Sequence, residues 1–377
     1  MKRYKISILP LKRSDILVID TNGFQYLKRC LPESYSYYRV NIRDGIPVIP
    51  SAFFIFLFLK NLINEGFKPL SLFKSIVDFV RPKVILSFTD NAKIMGDLSL
   101  SYPDTLVISI QNGVRTLPDD FARNGVSFPV PIYFSFGKYE KDLLEKYRSP
   151  VKKIYSMGSL KLGIFLSEFM SQKQEVCNRV CFISQYIFSL HTSKRKQERD
   201  MIYRQAKAYQ HLTHWSKLNN VETSVALRSK DCIQEVKFFR SFSQESLLVK
   251  NKAKEFSSYQ EAYNAKVIVA MDSTLAFEML GTGKKVLFCD MAMGNGLLPS
   301  RGAEFLFSNL PDFLILRNLD SFEEFDKKIN HLMQMKESKY LKETQEARDY
   351  YLEKRDEPVH QLIYNFIDNA LQKAANV

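Results

Sequence analysis

Three consecutive residues between an apolar run and a helical pattern, Asp272-Ser273-Thr274, are of types that hold an anion. Their side chains suit a helix start, and the N–H groups and dipole of that helix favour negative charge. A phosphate is the natural ligand. Glu278 follows Thr274 by one turn on the same face, where a carboxylate accepts ribose hydroxyls. Plain capping of a helix between two strands explains the same residues, so local chemistry leaves both readings open. Arg228-Ser229-Lys230 adds two cations after the run TSVAL. They suit a diphosphate or a monophosphate-linked sugar acid, the arginine bidentately, or else form a solvated basic loop. Ser184-Gln185, after RVCFIS, could approach a bound phosphate at the end of its own apolar run.

Three further stretches follow apolar runs of β type: Asp20–Gly23, Thr89–Asn91 and Gln111–Arg115. In open α/β sheets, ligands gather beyond the carboxyl ends of the strands, so these stretches join Asp272–Thr274 as candidate site segments. Asp90 and Asp20 bring carboxylates able to take a proton, although Asp90 equally suits a helix cap. Gln111 and Asn112 bring only amides, which orient a ligand and take no proton near neutral pH.

Other chemistries find little support. The sequence has no G-x-x-x-x-G-K-[ST] and no G-x-G-x-x-G, which argues against a P-loop kinase or an ordinary dinucleotide enzyme. It has no D-x-D suited to a metal-held diphosphate, and its five histidines form no paired metal arrangement. His211 and His214 read as a packed or exposed helix face beside Trp215. The five cysteines are scattered and odd in number, without zinc spacing, which fits a reducing cytoplasm. No metal and no cofactor is expected.

The elements that must position these residues alternate. Short apolar runs at 15–20, 84–88, 106–110 and 132–136 are separated by helical patterns at 51–65, 70–80 and 138–147. The second half repeats the plan, with runs at 179–184, 223–227, 267–270 and 286–288 among helices at 196–218, 258–264 and 273–280. Such alternation predicts parallel sheets covered by helices. At 377 residues the chain exceeds the length one core usually serves, about 250–300 residues, so two domains are expected. We place them at 1–157 and 179–340, with a linker at 158–178 and C-terminal helices at 341–377 packing back on the first domain.

Hydrophobic content of 45% and charged content of 25% are ordinary for a globular chain. The formal charge of +13 favours anionic partners: nucleotides, acidic glycans, phospholipid surfaces or nucleic acid. No apolar run approaches a bilayer span, the longest being 52–59, and no signal-peptide core is present. The helix at 52–59, with Lys60 and Lys68, either touches a membrane or is buried against a neighbour.

The segment at 265–288, AKVIVAMDSTLAFEMLGTGKKVLF, resembles the donor-binding half of the glycosyltransferase-B superfamily. It is most similar to bacterial surface-polysaccharide transferases of capsule and O-antigen (lipopolysaccharide) biosynthesis, in which D-S-T/S precedes "xxFExLxxGKKVxF". The preceding SYQEAY, 258–263, is similar to their short helix, and I-Q-N-G-V-R, 110–115, to a turn of their first domain. The likeness is of architecture over the whole chain and of motif over about 30–40 residues. It implies an α/β fold of two Rossmann-like domains with a C-terminal helical extension. It also implies a metal-independent glycosyltransferase moving a sugar, of Kdo or nonulosonic-acid type, from a nucleotide donor to a surface polysaccharide or lipid-linked glycan.

Donor contacts would come from Ser184, Gln185, Arg228, Lys230, Asp272, Ser273, Thr274 and Glu278. Acceptor contacts would come from Gln111, Gly113 and Arg115. The family departs from this chain at Gln111-Asn112, where CDP-glycerol polymerases carry W-H-G and Kdo- or sialic-acid-type enzymes an acidic pair. The base must then lie elsewhere: Asp90 is the first choice and Asp20 the second, with Asn112 orienting the acceptor. Cytidine-monophosphate-sugar transferases carry His-Pro near Arg228, and this chain does not. The resemblance places the protein in the cytoplasm, with peripheral contact at the cytoplasmic face of the inner membrane. The competing readings are a CDP-glycerol glycerophosphotransferase, a sugar-nucleotide 2-epimerase lacking its carboxylate clusters, an inactive scaffold and a basic nucleic-acid-binding protein. Dispersed Lys and Arg without a recognised module argue against the last, and no nucleic-acid partner is expected.

Overall fold

Val84–Ser87 and Val130–Ser135 are buried at every position, so both faces of these strands meet apolar groups. That is the condition of parallel strands covered by helices on each side. The computed structural model describes residues 6–10, 12–20, 23–41, 46–115, 121–123, 126–169, 177–187, 196–228, 233–249, 255–289 and 303–375. The chain divides into two units, one of Met1–Ser167 with Lys354–Val377 and one of Glu168–Glu353.

The first unit holds β1 (Ile6–Ile8), β2 (Ile16–Asp20), β3 (Tyr37–Asn41), β4 (Ile46–Val48), β5 (Val84–Ser87), β6 (Leu106–Ile110), β7 (Ala122–Arg123), β8 (Val126–Ser127), β9 (Val130–Ser135) and β10 (Val151–Ser156). Six of them form a parallel sheet in the order β10-β9-β6-β5-β2-β3. One row of the register runs Val18, Leu86, Ile108, Ile132, which brings the carboxyl ends of β2, β5, β6 and β9 to one edge. The chain builds outward in one direction through β3 and in the other through β5, β6, β9 and β10. The reversal between β2 and β5 opens a crevice at their carboxyl ends.

On one face, Leu17, Ile19, Val40, Ile85 and Val107 pack against Phe73, Ile76 and Val80 of helix Pro69–Val80 and Met95 and Leu98 of helix Lys93–Ser101. A Cβ on Gly96 would stand 1.8 Å from the Pro129 carbonyl oxygen. Only glycine lets that helix lie so close to the chain entering β9. On the other side, Phe366 of helix Val359–Ala375 meets the rings of Phe134 at 5.0 Å and Tyr155 at 5.5 Å.

The second unit holds β11 (Cys177–Ile183), β12 (Glu222–Ala226), β13 (Leu247–Val249), β14 (Ala265–Ala270) and β15 (Val286–Phe288). They form a parallel sheet in the order β13-β12-β11-β14-β15, with Phe182 level with Val225 and Val269. Here the reversal lies between β11 and β14. Helix Lys196–Asn219 is anchored by Trp215, whose indole N–H donates to Asn330 Oδ1 at 3.1 Å. His211 lies on the same buried face, its Nε2 2.7 Å from the Leu319 carbonyl, and His214 meets the Phe322 ring at 4.5 Å. Both histidines serve packing.

The C-terminal segment read from 341 is divided. Helices Glu337–Glu343 and Gln345–Tyr351 stay with the second unit, where the Tyr340 hydroxyl donates to the Lys284 carbonyl at 2.7 Å and Tyr351 packs 4.9 Å from Phe277. The chain rejoins the first unit from Lys354. Helix Leu160–Phe169 occupies the start of the stretch read as a linker, because Leu160, Leu162, Ile164 and Phe165 are all buried. Among the described residues, no helix is long and apolar enough to cross a membrane.

Candidate functional site

In the second unit the reversal between β11 and β14 sets Ser184-Gln185 beside Asp272–Thr274. The Gln185 amide nitrogen donates to Asp272 Oδ1 at 2.7 Å, and the Gln185 backbone N–H donates to Gln205 Oε1 at 2.6 Å. Arg228 lies just beyond the neighbouring strand and reaches the Gln185 carbonyl at 3.4 Å through Nη1. Ser273 stands at the N-cap of helix Thr274–Gly281 in an extended conformation, yet its hydroxyl makes no capping bond. A helix start without its side-chain cap, with a guanidinium near enough to feel the Asp272 charge, suits an anionic ligand. Lys230, also read as a donor contact, lies outside the described residues.

Two donor candidates face inward. Glu278 is 1% exposed and accepts the Tyr259 hydroxyl at 2.7 Å, so its carboxylate ties helix Ser257–Asn264 to helix Thr274–Gly281. Ser184 is 4% exposed and donates to Glu235 Oε1 at 2.5 Å. The same carboxylate oxygen accepts the Arg228 backbone N–H at 2.8 Å. Glu235 is fully buried and thereby joins the ends of β11 and β12. It escaped the sequence reading, its one local signal being an acid in the first turn of helix Ile233–Arg240.

In the first unit, Asp90 follows β5 and is held from two sides. Arg115 Nε donates to its Oδ2 at 2.9 Å and Arg115 Nη2 to its Oδ1, while the Tyr133 hydroxyl donates to Oδ2 at 2.8 Å. The carboxylate is fully buried and the Arg115 side chain 14% exposed. The alternative reading of Asp90 as a helix cap fails on geometry: Ala92 is the N-cap of helix Lys93–Ser101, with no side-chain capping bond. Arg115 also donates to Asn112 Oδ1 at 2.8 Å, and Asn112 Nδ2 donates to the Phe88 carbonyl at 2.5 Å. Asn112, Arg115 and Asp90 therefore form one network across the ends of β5 and β6. Asp20 closes β2, the strand beside β5. A Cβ on Gly23, just beyond, would stand 2.0 Å from Phe88 Cδ1, so glycine is what lets this loop lie on the β5 end.

Gln111, read as an acceptor contact, is fully buried behind the turn. Its Nε2 donates to Glu140 Oε1 at 2.5 Å and to the Gly113 carbonyl at 3.0 Å, and its Oε1 accepts the Phe136 N–H at 2.6 Å. The side chain staples the 111–113 turn to the end of β9 and fixes Gly113. Its acidic partner Glu140 was missed by sequence reasoning. It sits in the first turn of helix Lys138–Lys146, where it also accepts the Gly137 N–H at 3.3 Å. A glycine followed three residues later by Glu at a helix start is the signal that could have marked it. Burial pushes its pKa up to about 7, and the nearby Asp90 charge adds to the shift. Burial likewise holds the Tyr133 hydroxyl protonated, well above its ordinary pKa. Among the described residues, no three His, Cys, Asp or Glu side chains are grouped to hold a metal.

The geometry can thus present an anion site in one unit and a charged, hydrogen-bonded turn in the other. Residues 108–363 match the sequence profile of a family described as "putative O-antigen biosynthesis protein". No curated protein matches the sequence. Solved structures do. An S. aureus MnaA structure with UDP is 12% identical, with a TM-score of 0.57 over 96% of this chain and 97% of the other. The UDP-GlcNAc 2-epimerase of Methanocaldococcus jannaschii, in complex with UDP-GlcNAc and UDP, is 10% identical, with a TM-score of 0.54 over 95% and 99%. The H444N variant of the wall teichoic acid polymerase TagF is 10% identical, with a TM-score of 0.55 over 96% and 90%. At such identities the likeness is one of fold, two Rossmann-like units of the glycosyltransferase-B type. With more than half of its length matched by the profile, the chain belongs to this O-antigen biosynthesis family.

Proposed function

We propose that the protein is a metal-independent glycosyltransferase that moves a sugar from a nucleotide donor to a surface polysaccharide or lipid-linked glycan, working at the cytoplasmic face of the inner membrane. The observation that carries this reading is the helix start at Ser273-Thr274, uncapped by Ser273, at the sheet reversal where Gln185 links Asp272 to Arg228. The donor diphosphate or phosphate sits on that helix start, and Arg228 stabilises the charge that develops on the leaving phosphate. Asp272, oriented by Gln185, faces the same crevice and accepts donor hydroxyls. Asn112, Gly113 and Arg115 position the acceptor, and Asp90 takes its proton. A Kdo- or nonulosonic-type sugar is our choice of donor. Structural neighbours that include a teichoic acid polymerase keep a second reading, transfer of glycerol phosphate from a CDP-linked donor.

A thermal-shift panel of UDP-, GDP-, dTDP- and CMP-sugars with CDP-glycerol tests both, because only a ligand of the folded state raises the melting point. One class should stabilise the protein. The double variant Ser273→Ala/Thr274→Ala should then bind that ligand at least about tenfold more weakly, about 1.4 kcal/mol. Its stability should stay within about 1 kcal/mol of the parent. Parent-like affinity in this variant would take the phosphate away from the helix start. No response to any nucleotide would remove the transferase reading.

A further inference from the structure

Helix Ala52–Glu65 is apolar on two faces, and only one of them is covered. Phe54 and Leu57 are buried against helix Pro69–Val80, with Phe54 6.2 Å from Phe79, and buried Asn61 donates to Ser75 at 3.2 Å and Asp78 at 2.9 Å. The opposite face shows Phe53, Ile55, Phe56, Leu59 and Ile63 to solvent, and the adjoining turn adds Phe67. Ile63 is 84% exposed and Phe67 90%. An apolar patch of this kind on a soluble surface marks a place that meets something less polar than water.

The exposed charges nearest it are positive, and the two acids beside them are tied up within the unit. Lys60, Lys68 and Arg81 are exposed, and none makes an ion pair among the described residues. The acids nearby are engaged within the unit: Glu65 pairs with Lys74 at 2.6 Å, and Asp78 accepts the Tyr102 hydroxyl at 2.7 Å. A cavity of about 400 Å³ opens beside the patch, lined by Phe53 and Leu57 on its apolar side and by Lys60, Arg81, Tyr102 and Asp78, the last engaged by Asn61 and Tyr102. Apolar rings flanked by exposed cations match the layering of an anionic bilayer, acyl chains beneath phosphates.

We propose that this face docks the protein on an anionic phospholipid surface, with Phe56, Ile63 and Phe67 entering the acyl boundary and Lys60, Lys68 and Arg81 meeting lipid phosphates. The inference deepens the membrane contact of the transferase reading by naming its surface. Its test needs neither donor nor acceptor, so the two can fail separately.

The test is flotation of the full chain with vesicles of phosphatidylglycerol and phosphatidylcholine, against phosphatidylcholine alone. The parent should float with the anionic vesicles, and less so as salt is raised. Phe56→Ser/Ile63→Ser/Phe67→Ser changes only exposed side chains, so unfolding curves should match the parent while bound protein falls at least about tenfold. Lys60→Glu/Lys68→Glu should abolish the preference for phosphatidylglycerol. Parent-like flotation of the triple serine variant, or a parent that ignores anionic vesicles, overturns the proposal. A parent that is dimeric, ignores vesicles and becomes monomeric in that variant also overturns it, and assigns the face to a second copy of the chain.

Discussion

Asp90→Ala is expected to lower the free energy of unfolding by about 3–5 kcal/mol, the usual cost of removing one partner from a buried ion pair. The pair qualifies because Asp90 is fully covered and Arg115 nearly so. Without the carboxylate, the guanidinium loses its ion pair, keeping the bond to Asn112, and the Tyr133 hydroxyl loses its bond inside the sheet. Tyr133→Phe removes one neutral donor and leaves the charges paired, so it should cost only about 1 kcal/mol. Asp90→Asn keeps an acceptor for both neighbours and should fall between the two. Urea unfolding of the three variants reads this order directly. Asp90→Ala within about 1 kcal/mol of the parent would mean that the pair is far better solvated than its burial indicates.

The same residue is the proposed base, and the larger functional effect is expected there. With the donor that the thermal panel identifies, Asp90→Asn should leave nucleotide affinity intact and lower turnover by roughly 10²–10⁴-fold, the usual share of a general base. The Arg115 contact complicates that role, since a base gripped by a guanidinium must surrender part of that grip to take a proton. Turnover within a few-fold of the parent would reduce Asp90 to the anchor of Arg115 and move the search to Asp20.

Stability should also fall as pH rises through neutrality, with Glu140 as the cause. Burial raises its pKa to about 7 from an ordinary 4.5. Between those values the folded protein holds a proton that the unfolded chain has released, so folding takes up protons. The stability tied to this group is therefore fully present below about 4.5 and is lost as pH rises through about 7. The full span corresponds to about 3 kcal/mol at about 1.4 kcal/mol per unit. Glu140→Gln cannot titrate, so its unfolding free energy should vary less between pH 5 and 8 than the parent's. The variant has its own fixed cost, because an amide nitrogen comes to face the Gly137 N–H or the Gln111 amide. The slopes, not the levels, decide. Parallel pH curves for parent and variant would show that Glu140 is ionised across this range.

Much of the architecture was legible before any coordinates. The run ILVID of β2 and the fully buried VILS of β5 are too apolar for strands with one wet face, and only parallel sheets between helices bury such runs. Helix starts were legible too, because Ser273-Thr274 before a helical pattern is local chemistry. The position of candidate residues at strand ends followed from the same periodicity.

What the candidates do with one another was decided by tertiary structure. Asp90 and Arg115 lie 25 residues apart, Gln111 and Glu140 29, Ser184 and Glu235 51, and Gln185 and Asp272 87. Each pair meets because two strands align in a particular order and register, such as Phe182 against Val269, which sets Gln185 beside Asp272. Periodicity says that a residue ends a strand and is silent on which strand lies next to it. So Glu278 and Gln111, read from the sequence as donor and acceptor contacts, turn inward to Tyr259 and Glu140. The outward face of helix Ala52–Glu65 shows the converse. Its composition is that of a buried helix, and only the absence of a covering element among the described residues reveals it as a surface. Sequence by itself determined which elements form and where chemistry can gather. Burial and hydrogen-bond partnership depend on distant segments brought together by the sheets, and they decided which of those residues turn inward and which stay open.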